Sequence, residues 1–135
     1  MFDKASLRSP HGMVSDCFDP VRMGARGAVV ANHPLAAEAG IRILAAGGNA
    51  VDAAVAVGFA IGVAEPNGSG IGGDGFIMVH DRARRDVQVV NGTGASPLNA
   101  RPEGGLDSVG IRAASVPGIV DAMLLAHARL SLIHI

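Results

Sequence analysis

The sequence predicts an α/β fold of the α+β kind, with helices packed against an antiparallel sheet. The Ala- and Gly-rich segment 34–64 has helical character with one internal break. Two short β-type runs, 76–81 and 86–92, follow it and are joined by the charged residues RARR, as in a hairpin. Helices followed by paired strands are typical of helices layered on an antiparallel sheet. The expected order is strand, two helices, hairpin, strand, helix.

The segment before the first helix predicts an arm and one strand. Residues 1–26 have two prolines, mixed charge and no periodicity, so we expect a flexible N-terminal arm. Residues 27–34, GAVVANHP, form a β-branched run that ends at a proline, which predicts a short strand. Pro34 suits the first position of a helix whose cap is Asn32 or His33.

The first helix is expected to end at Gly47 and Gly48, because glycine adopts the left-handed conformation after a helix at no steric cost. Glu38 and Arg42 are four residues apart and can pair across one turn. Helical spacing predicts that four apolar residues share one face. These are Leu35, Ala39, Ile43 and Ala46.

The second helix has a clear start. Asn49 is an N-cap residue and Asp52 follows three positions later, as in a capping box. Residues 50–64 are nearly all small or apolar, which predicts a helix buried on most sides. Gly58 and Gly62 would let another backbone approach closely. The Glu-Pro pair that follows predicts the end of the helix.

The stretch GSGIGGDGF contains Gly70, Gly72 and Gly75 in the spacing G-x-G-x-x-G. A dinucleotide site needs a strand before these glycines and a helix after them, so that the helix N-terminus holds the pyrophosphate. Here a helix precedes them and a strand follows, so the pattern argues against a nucleotide cofactor. We interpret the glycines as a tight turn, and Asp74 as a turn residue rather than a catalytic carboxylate.

The last part of the chain predicts a loop, a strand and a helix. Residues 92–105 are rich in glycine and proline and predict a loop. Residues 110–118 predict a short strand and a turn. Residues 119–130 predict an amphipathic helix. The residues expected near one of its faces are Ile119, Met123, Leu124 and either Ala126 or His127.

The composition argues against several classes of function. The net charge is −1 and aromatic residues make up 3%, which disfavours nucleic-acid binding. The longest apolar run, 53–64, has 12 residues, whereas a membrane span needs about 20. Cys17 is the only cysteine, and the five histidines lack metal-ligand spacing, so neither a metal nor a cofactor is expected. The N-terminus lacks the apolar core of a secretory signal, so the expected location is cytoplasmic.

Three segments, 34–66, 69–81 and 115–118, resemble the N-terminal region of the large subunit of the γ-glutamyltranspeptidase family. The blocks GGNAVDAA and EP…SGIGG.GF carry the resemblance, which runs over 27–130. It implies the N-terminal part of an αββα sandwich of the N-terminal-nucleophile hydrolase type. The tail 131–135, SLIHI, departs from the family and is expected to be a truncation.

The resemblance also implies an activity. Family members are proenzymes that cut themselves, and a Thr at the start of the small subunit attacks the γ-glutamyl amide, with its own amine as base. This chain has one threonine, Thr93, outside any Thr-Thr-His motif. The nucleophile and the small-subunit partner are therefore expected beyond residue 135. No catalytic residue is assigned, and the chain alone is expected to be inactive.

The family's substrate-binding Arg, which grips the α-carboxylate of a small-molecule γ-glutamyl amide, corresponds to Thr93 or, in some relatives, to Ala95. Neither residue carries a cation. Arg101 is a third candidate, four residues after Pro97. Loss of a bidentate anchor costs several kcal/mol of binding unless it is replaced. Three alternatives stay open: a γ-glutamyl enzyme, an acylase or oxamate-type amidohydrolase, or an inert fragment.

Overall fold

The computed structural model describes residues 23–96, 98, 110 and 113–131. The first helix, α1, packs against the second, α2, and the third helix, α3, contacts α2 and both strands. The two strands, β1 and β2, form an antiparallel pair. This arrangement is the predicted α+β architecture. The elements are α1 (Pro34–Ala45), α2 (Ala50–Ala64), β1 (Phe76–Asp81), β2 (Asp86–Asn91) and α3 (Ile119–Leu130).

The ends of α1 follow the predicted local chemistry. His33 is the N-cap, and its Nδ1 accepts a hydrogen bond from the backbone N–H of Leu35 at 3.2 Å. Gly47 has φ +99°, the left-handed conformation that ends the helix. The predicted Glu38–Arg42 pair is present with an Nη2–Oε1 distance of 2.6 Å. Because both side chains are largely exposed, this pair contributes little stability.

The most buried residues of α1 are not those of the predicted apolar face. Its buried residues are Ala36 and Gly40, while Leu35 is 63% exposed. A Cβ on Gly40 would lie 2.7 Å from a methyl group of Val57 and 2.9 Å from one of Val29. The helices approach so closely that the contact selects the smallest residues. An apolar face chosen by hydrophobicity and size therefore includes Leu35, whereas the neighbouring residue Ala36 is the one that is buried.

Helix α2 has the predicted capping box and ends before Glu65. Its expected burial on most sides is not found among the described residues. Only Val51 and Ala53 are buried, and Val63 is 84% exposed. The reason is that α1 and α3 cover only part of this helix, which leaves the rest of an almost wholly apolar surface uncovered.

The hairpin is confirmed, with a register that pairs Phe76 with Asn91 and Asp81 with Asp86. Asp81 Oδ1 accepts hydrogen bonds from the backbone N–H groups of Ala83 at 2.8 Å and Arg84 at 3.2 Å, which orders the turn. Side chains alternate along each strand between half-buried and more exposed positions.

The outer face of the hairpin is apolar. Phe76 is 65% exposed and Met78 is 73% exposed, and their cross-strand neighbour Val89 is also exposed. Single exposed apolar residues are ordinary, but a contiguous apolar sheet face is typical of a surface that another element covers.

Two predicted strands are absent from the described residues. Residues 27–34 are extended or bent up to the start of α1, and 113–118 show no strand; residues 111 and 112 lie outside the described part. A strand needs a partner for its backbone hydrogen bonds, and no described segment pairs with either run.

Helix α3 has the predicted bounds, but its buried residues are Ala122, Met123 and Ala126. The expectation was right for Met123 and Ala126 and wrong for Leu124, which is exposed. Small residues again mark the contact. Most of the predicted arm, Arg101 and residues 132–135 lie outside the described residues. Among the helices in the described part of the chain, none has the length and apolar character that crossing a membrane requires.

Candidate functional site

Three loops meet at the open end of the hairpin, and we call their meeting point the hairpin junction (residues 73–75, 91–95 and 115–118). Gly75 and Gly92 each donate a backbone hydrogen bond to the other's carbonyl, at 3.3 and 2.9 Å. These bonds extend the strand pair by one residue. The N–H groups of Gly118 and Ile119 both lie 3.3 Å from the carbonyl oxygen of Gly73. The glycine turn is thus tied to the start of α3 as well as to the end of β2.

Close packing fixes the path of these loops. A Cβ on Gly92 would lie 2.5 Å from the Cβ of Ala122, and one on Gly118 would lie 2.5 Å from the carbonyl oxygen of Gly92. Real Cβ atoms do not approach other heavy atoms so closely. Glycine at both positions is therefore what lets α3 pack directly under the end of the hairpin.

The glycine stretch acts as the sequence predicted. It follows helix α2 and precedes strand β1, which is the reverse of a dinucleotide site. The N–H of Gly73 donates to the carbonyl of Gly70 at 3.1 Å and closes a turn. Gly62 of α2 lies against this turn, since a Cβ there would be 3.1 Å from the Cα of Gly70. Turn formation and close packing account for these glycines.

Thr93 and Ala95, two of the three predicted substrate-binding residues, lie on the exposed loop after β2. Thr93 donates to Asn91 Oδ1 through its hydroxyl at 2.6 Å and through its backbone N–H at 2.9 Å. Arg101, the third residue, lies outside the described residues, so the structure does not bring the three together. Their role in substrate binding stays a prediction.

Asp74 of the glycine turn contacts the segment before α3, which the sequence analysis did not foresee. It directly precedes Gly75, and Thr93 directly follows Gly92, so the two residues flank the hydrogen-bonded glycine pair. Ser115 Oγ donates to Asp74 Oδ2 at 3.3 Å. The paired strands end at Phe76 and Asn91, and their hydrogen bonds extend to Gly75 and Gly92.

An apolar cavity of about 630 Å³ adjoins the junction. It lies between α2, the glycine turn, β1 and α3, and its walls include Phe59, Ile77 and Met123. Gly58 lets Met123 pack closely against α2, because a Cβ there would lie 2.6 Å from the sulfur of Met123. Asp74 is the one ionisable residue in the described lining. The cavity therefore offers apolar surface with a single carboxylate at its edge.

The block GGNAVDAA joins two helix ends. Asn49 Oδ1 accepts hydrogen bonds from the N–H groups of Val51 at 2.8 Å and Asp52 at 3.0 Å. Its Nδ2 donates to the carbonyl of Leu130 at 2.6 Å, at the C-terminus of α3. His127 Nε2 of α3 lies 3.6 Å from Asp52 Oδ1. The predicted capping role is confirmed, and the same side chains also connect α2 to α3.

The chemistry available at the junction is binding rather than bond cleavage. It presents a carboxylate, hydroxyls and backbone groups, which suit a polar substrate. The Thr93 hydroxyl donates to an amide oxygen, which cannot act as a general base. Among residues 23–96, 98, 110 and 113–131, no group of three His, Cys, Asp or Glu side chains is placed to hold a metal ion.

Comparison with known protein families identifies the fold and the lineage. The family model described as gamma-glutamyltranspeptidase matches residues 36–134, which is most of the chain. The chain belongs to the γ-glutamyltranspeptidase family. It is 45% identical over 95 residues to the glutathione hydrolase proenzyme of Bacillus subtilis strain 168, covering 70% of this chain and 16% of that protein. The family predicted from the sequence is therefore confirmed.

Solved structures support the same conclusion. The γ-glutamyltranspeptidase of Helicobacter pylori superposes with a TM-score of 0.75 at 35% identity, covering 83% of this chain and 35% of that chain. The cephalosporin acylase of Bacillus halodurans superposes with a TM-score of 0.70 at 32% identity, covering 87% and 25%. The predicted fold, the N-terminal part of an N-terminal-nucleophile hydrolase, is confirmed. The chain spans only a fraction of each of these proteins.

Proposed function

We propose that the full-length protein to which this chain contributes hydrolyses or transfers γ-glutamyl groups from glutathione-like amides. The observation that carries the proposal is the family match over residues 36–134. The likeness to a glutathione hydrolase proenzyme supports the choice of substrate. In this proposal, the hairpin junction forms one wall of the substrate site, and the chain alone has no activity.

The proposed reaction uses a nucleophile outside this chain. A Thr freed by self-cleavage, at the start of a small subunit, attacks the γ-glutamyl carbonyl with its hydroxyl. The C–N amide bond breaks and the amine leaves with a proton, so an ester to the enzyme remains. Water then releases glutamate, or the amine of an amino acid takes the acyl group. The hydroxyl of Thr93, the one threonine here, faces Asn91 and does not serve this role.

A second candidate is an acylase with another amide specificity. The observation in its favour is that Thr93 and Ala95 are uncharged, so the described loop offers no guanidinium to a substrate carboxylate. The likeness to a cephalosporin acylase agrees with this candidate. The two candidates differ in one measurable property, which is whether the α-amino group of the acyl chain raises the rate of amide cleavage.

The test compares γ-glutamyl-p-nitroanilide with glutaryl-p-nitroanilide, which lacks the α-amino group, on the purified full-length protein. We expect kcat/KM to be at least about tenfold higher for the γ-glutamyl compound, as a charged contact to that group would give. Equal or faster turnover of the glutaryl compound would favour the acylase. Turnover of neither compound would refute both candidates. The 135-residue chain alone is the control and should release no p-nitroaniline.

A further inference from the structure

We propose that the Asn67-Gly68 pair is a site of spontaneous covalent modification, at which the Asn67 side chain loses its amide nitrogen and becomes aspartate or isoaspartate. This site is separate from the proposed substrate site, because it lies in the turn after α2 and not in the loop after β2. The sequence contains two Asn-Gly pairs, at residues 67–68 and 91–92. The fold exposes the first pair and protects the second.

The reaction needs only neighbouring atoms and water. The backbone nitrogen of Gly68 attacks the side-chain carbonyl carbon Cγ of Asn67, and a cyclic succinimide forms. The new N–Cγ bond replaces the Cγ–Nδ2 bond, so the side-chain nitrogen leaves as ammonia with the proton of the backbone nitrogen. Water then opens the ring at either carbonyl, which gives aspartate or isoaspartate without a change of oxidation state. Glycine favours the ring closure, because it has no Cβ to obstruct it.

The turn after α2 leaves both reacting groups accessible. Asn67 and Gly68 are exposed, and nothing lies within 4 Å of the position that a Cβ on Gly68 would take. The N–H of Gly68 donates to the carbonyl of Glu65 at 3.0 Å, but the N–H of Ser69 donates to the same oxygen at 3.0 Å. The carbonyl therefore keeps a partner when Gly68 turns away to react.

The second pair is held by the fold. Gly92 is buried, its N–H donates to the carbonyl of Gly75 at 2.9 Å, and a Cβ there would lie 2.5 Å from that of Ala122. Asn91 Oδ1 accepts two hydrogen bonds from Thr93, which fix the amide. Attack at this pair requires the end of the hairpin to separate from α3. The first pair needs only a local movement of an exposed turn, and such openings cost far less free energy than the opening of packed elements.

The product places a new negative charge at an unfavourable position. Asn67 follows the C-terminus of α2, where the helix carbonyls concentrate negative charge, and Glu65 lies two residues before it. An isoaspartate also adds one methylene to the main chain just ahead of the glycine turn. That turn packs against α2, since a Cβ on Gly62 would lie 3.1 Å from the Cα of Gly70. We therefore expect the modification to loosen the contact between α2 and the glycine turn.

The test incubates the purified full-length protein at neutral pH and follows both pairs by peptide mapping with mass spectrometry. We expect the peptide with Asn67 to convert at least about tenfold faster than the peptide with Asn91, because two more hydrogen bonds must open at the second pair. Asn67→Gln should abolish the change, since its longer side chain would have to close a larger ring. Gly68→Ala should slow it, because the new methyl hinders the attacking nitrogen.

The same measurement in denaturant is the matched control. In the unfolded protein both asparagines are accessible and both precede glycine, so the two rates should converge. Equal rates in the folded protein, or faster conversion at Asn91, would overturn the inference. So would an intact Asn67 after the time in which the unfolded protein converts. A rate difference that persists unchanged in denaturant would also overturn it, because neighbouring residues and not the fold would then select the site.

The variant Asn67→Asp tests the expected consequence, because it carries the aspartate product from the start. Amide hydrogen exchange at the end of α2 should be about two- to fivefold faster in Asn67→Asp than in the wild type, the range of an unfavourable charge at a helix terminus. Exchange at the wild-type rate would overturn the expected loosening.

Discussion

Replacement of Asn49 by alanine should loosen the contact between α2 and α3. The substitution removes two cap hydrogen bonds, to the N–H groups of Val51 and Asp52 at 2.8 and 3.0 Å. It also removes the donor to the carbonyl of Leu130 at 2.6 Å. The first loss affects the start of α2 and the second affects the end of α3, so one change acts on two helices.

The expected magnitude follows from these bonds. Loss of an Asn N-cap costs about 1 kcal/mol. Loss of one partly buried hydrogen bond costs about 1 kcal/mol more. The free energy of local opening should therefore fall by about 2 kcal/mol, which is a factor of about 30 in the opening equilibrium. Asn49→Ser is the matched control, because serine keeps the cap but is too short to reach Leu130.

Amide hydrogen exchange of the full-length protein, read by mass spectrometry, measures this opening locally. In Asn49→Ala, peptides from the start of α2 and the end of α3 should both exchange faster. In Asn49→Ser, only the end of α3 should do so, by about fivefold for a loss of about 1 kcal/mol. Wild-type exchange at both sites in Asn49→Ala would refute the reasoning, since the cap and the interhelix bond would then contribute nothing.

Three further predictions concern the junction and the apolar surfaces. Gly92→Ala should destabilise the full-length protein by about 1–3 kcal/mol, because the new methyl would lie 2.5 Å from the Cβ of Ala122. Thermal unfolding should show this loss, whereas the control Gly68→Ala, whose new methyl would have nothing within 4 Å, should melt like the wild type. If Gly92→Ala also melts like the wild type, the crowding at Gly92 is harmless and the prediction is wrong. Ala95→Arg should raise the ratio of kcat/KM for γ-glutamyl-p-nitroanilide to kcat/KM for 4-aminobutyryl-p-nitroanilide, which lacks the carboxylate, by about tenfold. An unchanged ratio would remove Ala95 from the substrate site. The isolated 135-residue chain should self-associate in light scattering through its exposed apolar sheet and helix faces. A monomer that melts cooperatively would contradict this last expectation.

The bounds of the helices and the hairpin were predictable because they depend on neighbouring residues. The cap of α1, the left-handed Gly47 and the Asn49–Asp52 capping box each involve atoms within about four positions of one another. The predicted strands at 27–34 and 110–118 failed for the opposite reason. A strand depends on a partner elsewhere in the chain, and the run of residue types cannot name that partner.

The choice of buried face also required the tertiary structure. Periodicity placed Leu35 on the apolar face of α1, but the buried residues of this helix are Ala36 and Gly40, because Gly40 lies too close to Val57 for a larger side chain. In α3 the same preference for small residues favours Ala122. Hydrophobicity predicts that a helix is covered. The distance between two helix axes decides which residues fit the contact.

By itself, the sequence determined the family, the order of the helices and the hairpin, and the chemistry of the helix ends, because these depend on short segments read one at a time. Only the tertiary structure joined Asn49 to Leu130, 81 residues away, and Ser115 to Asp74, 41 residues away. Such contacts depend on the paths of separate loops. The same paths join the glycine turn to the start of α3 and to the end of β2, so the hairpin junction exists only in the folded chain.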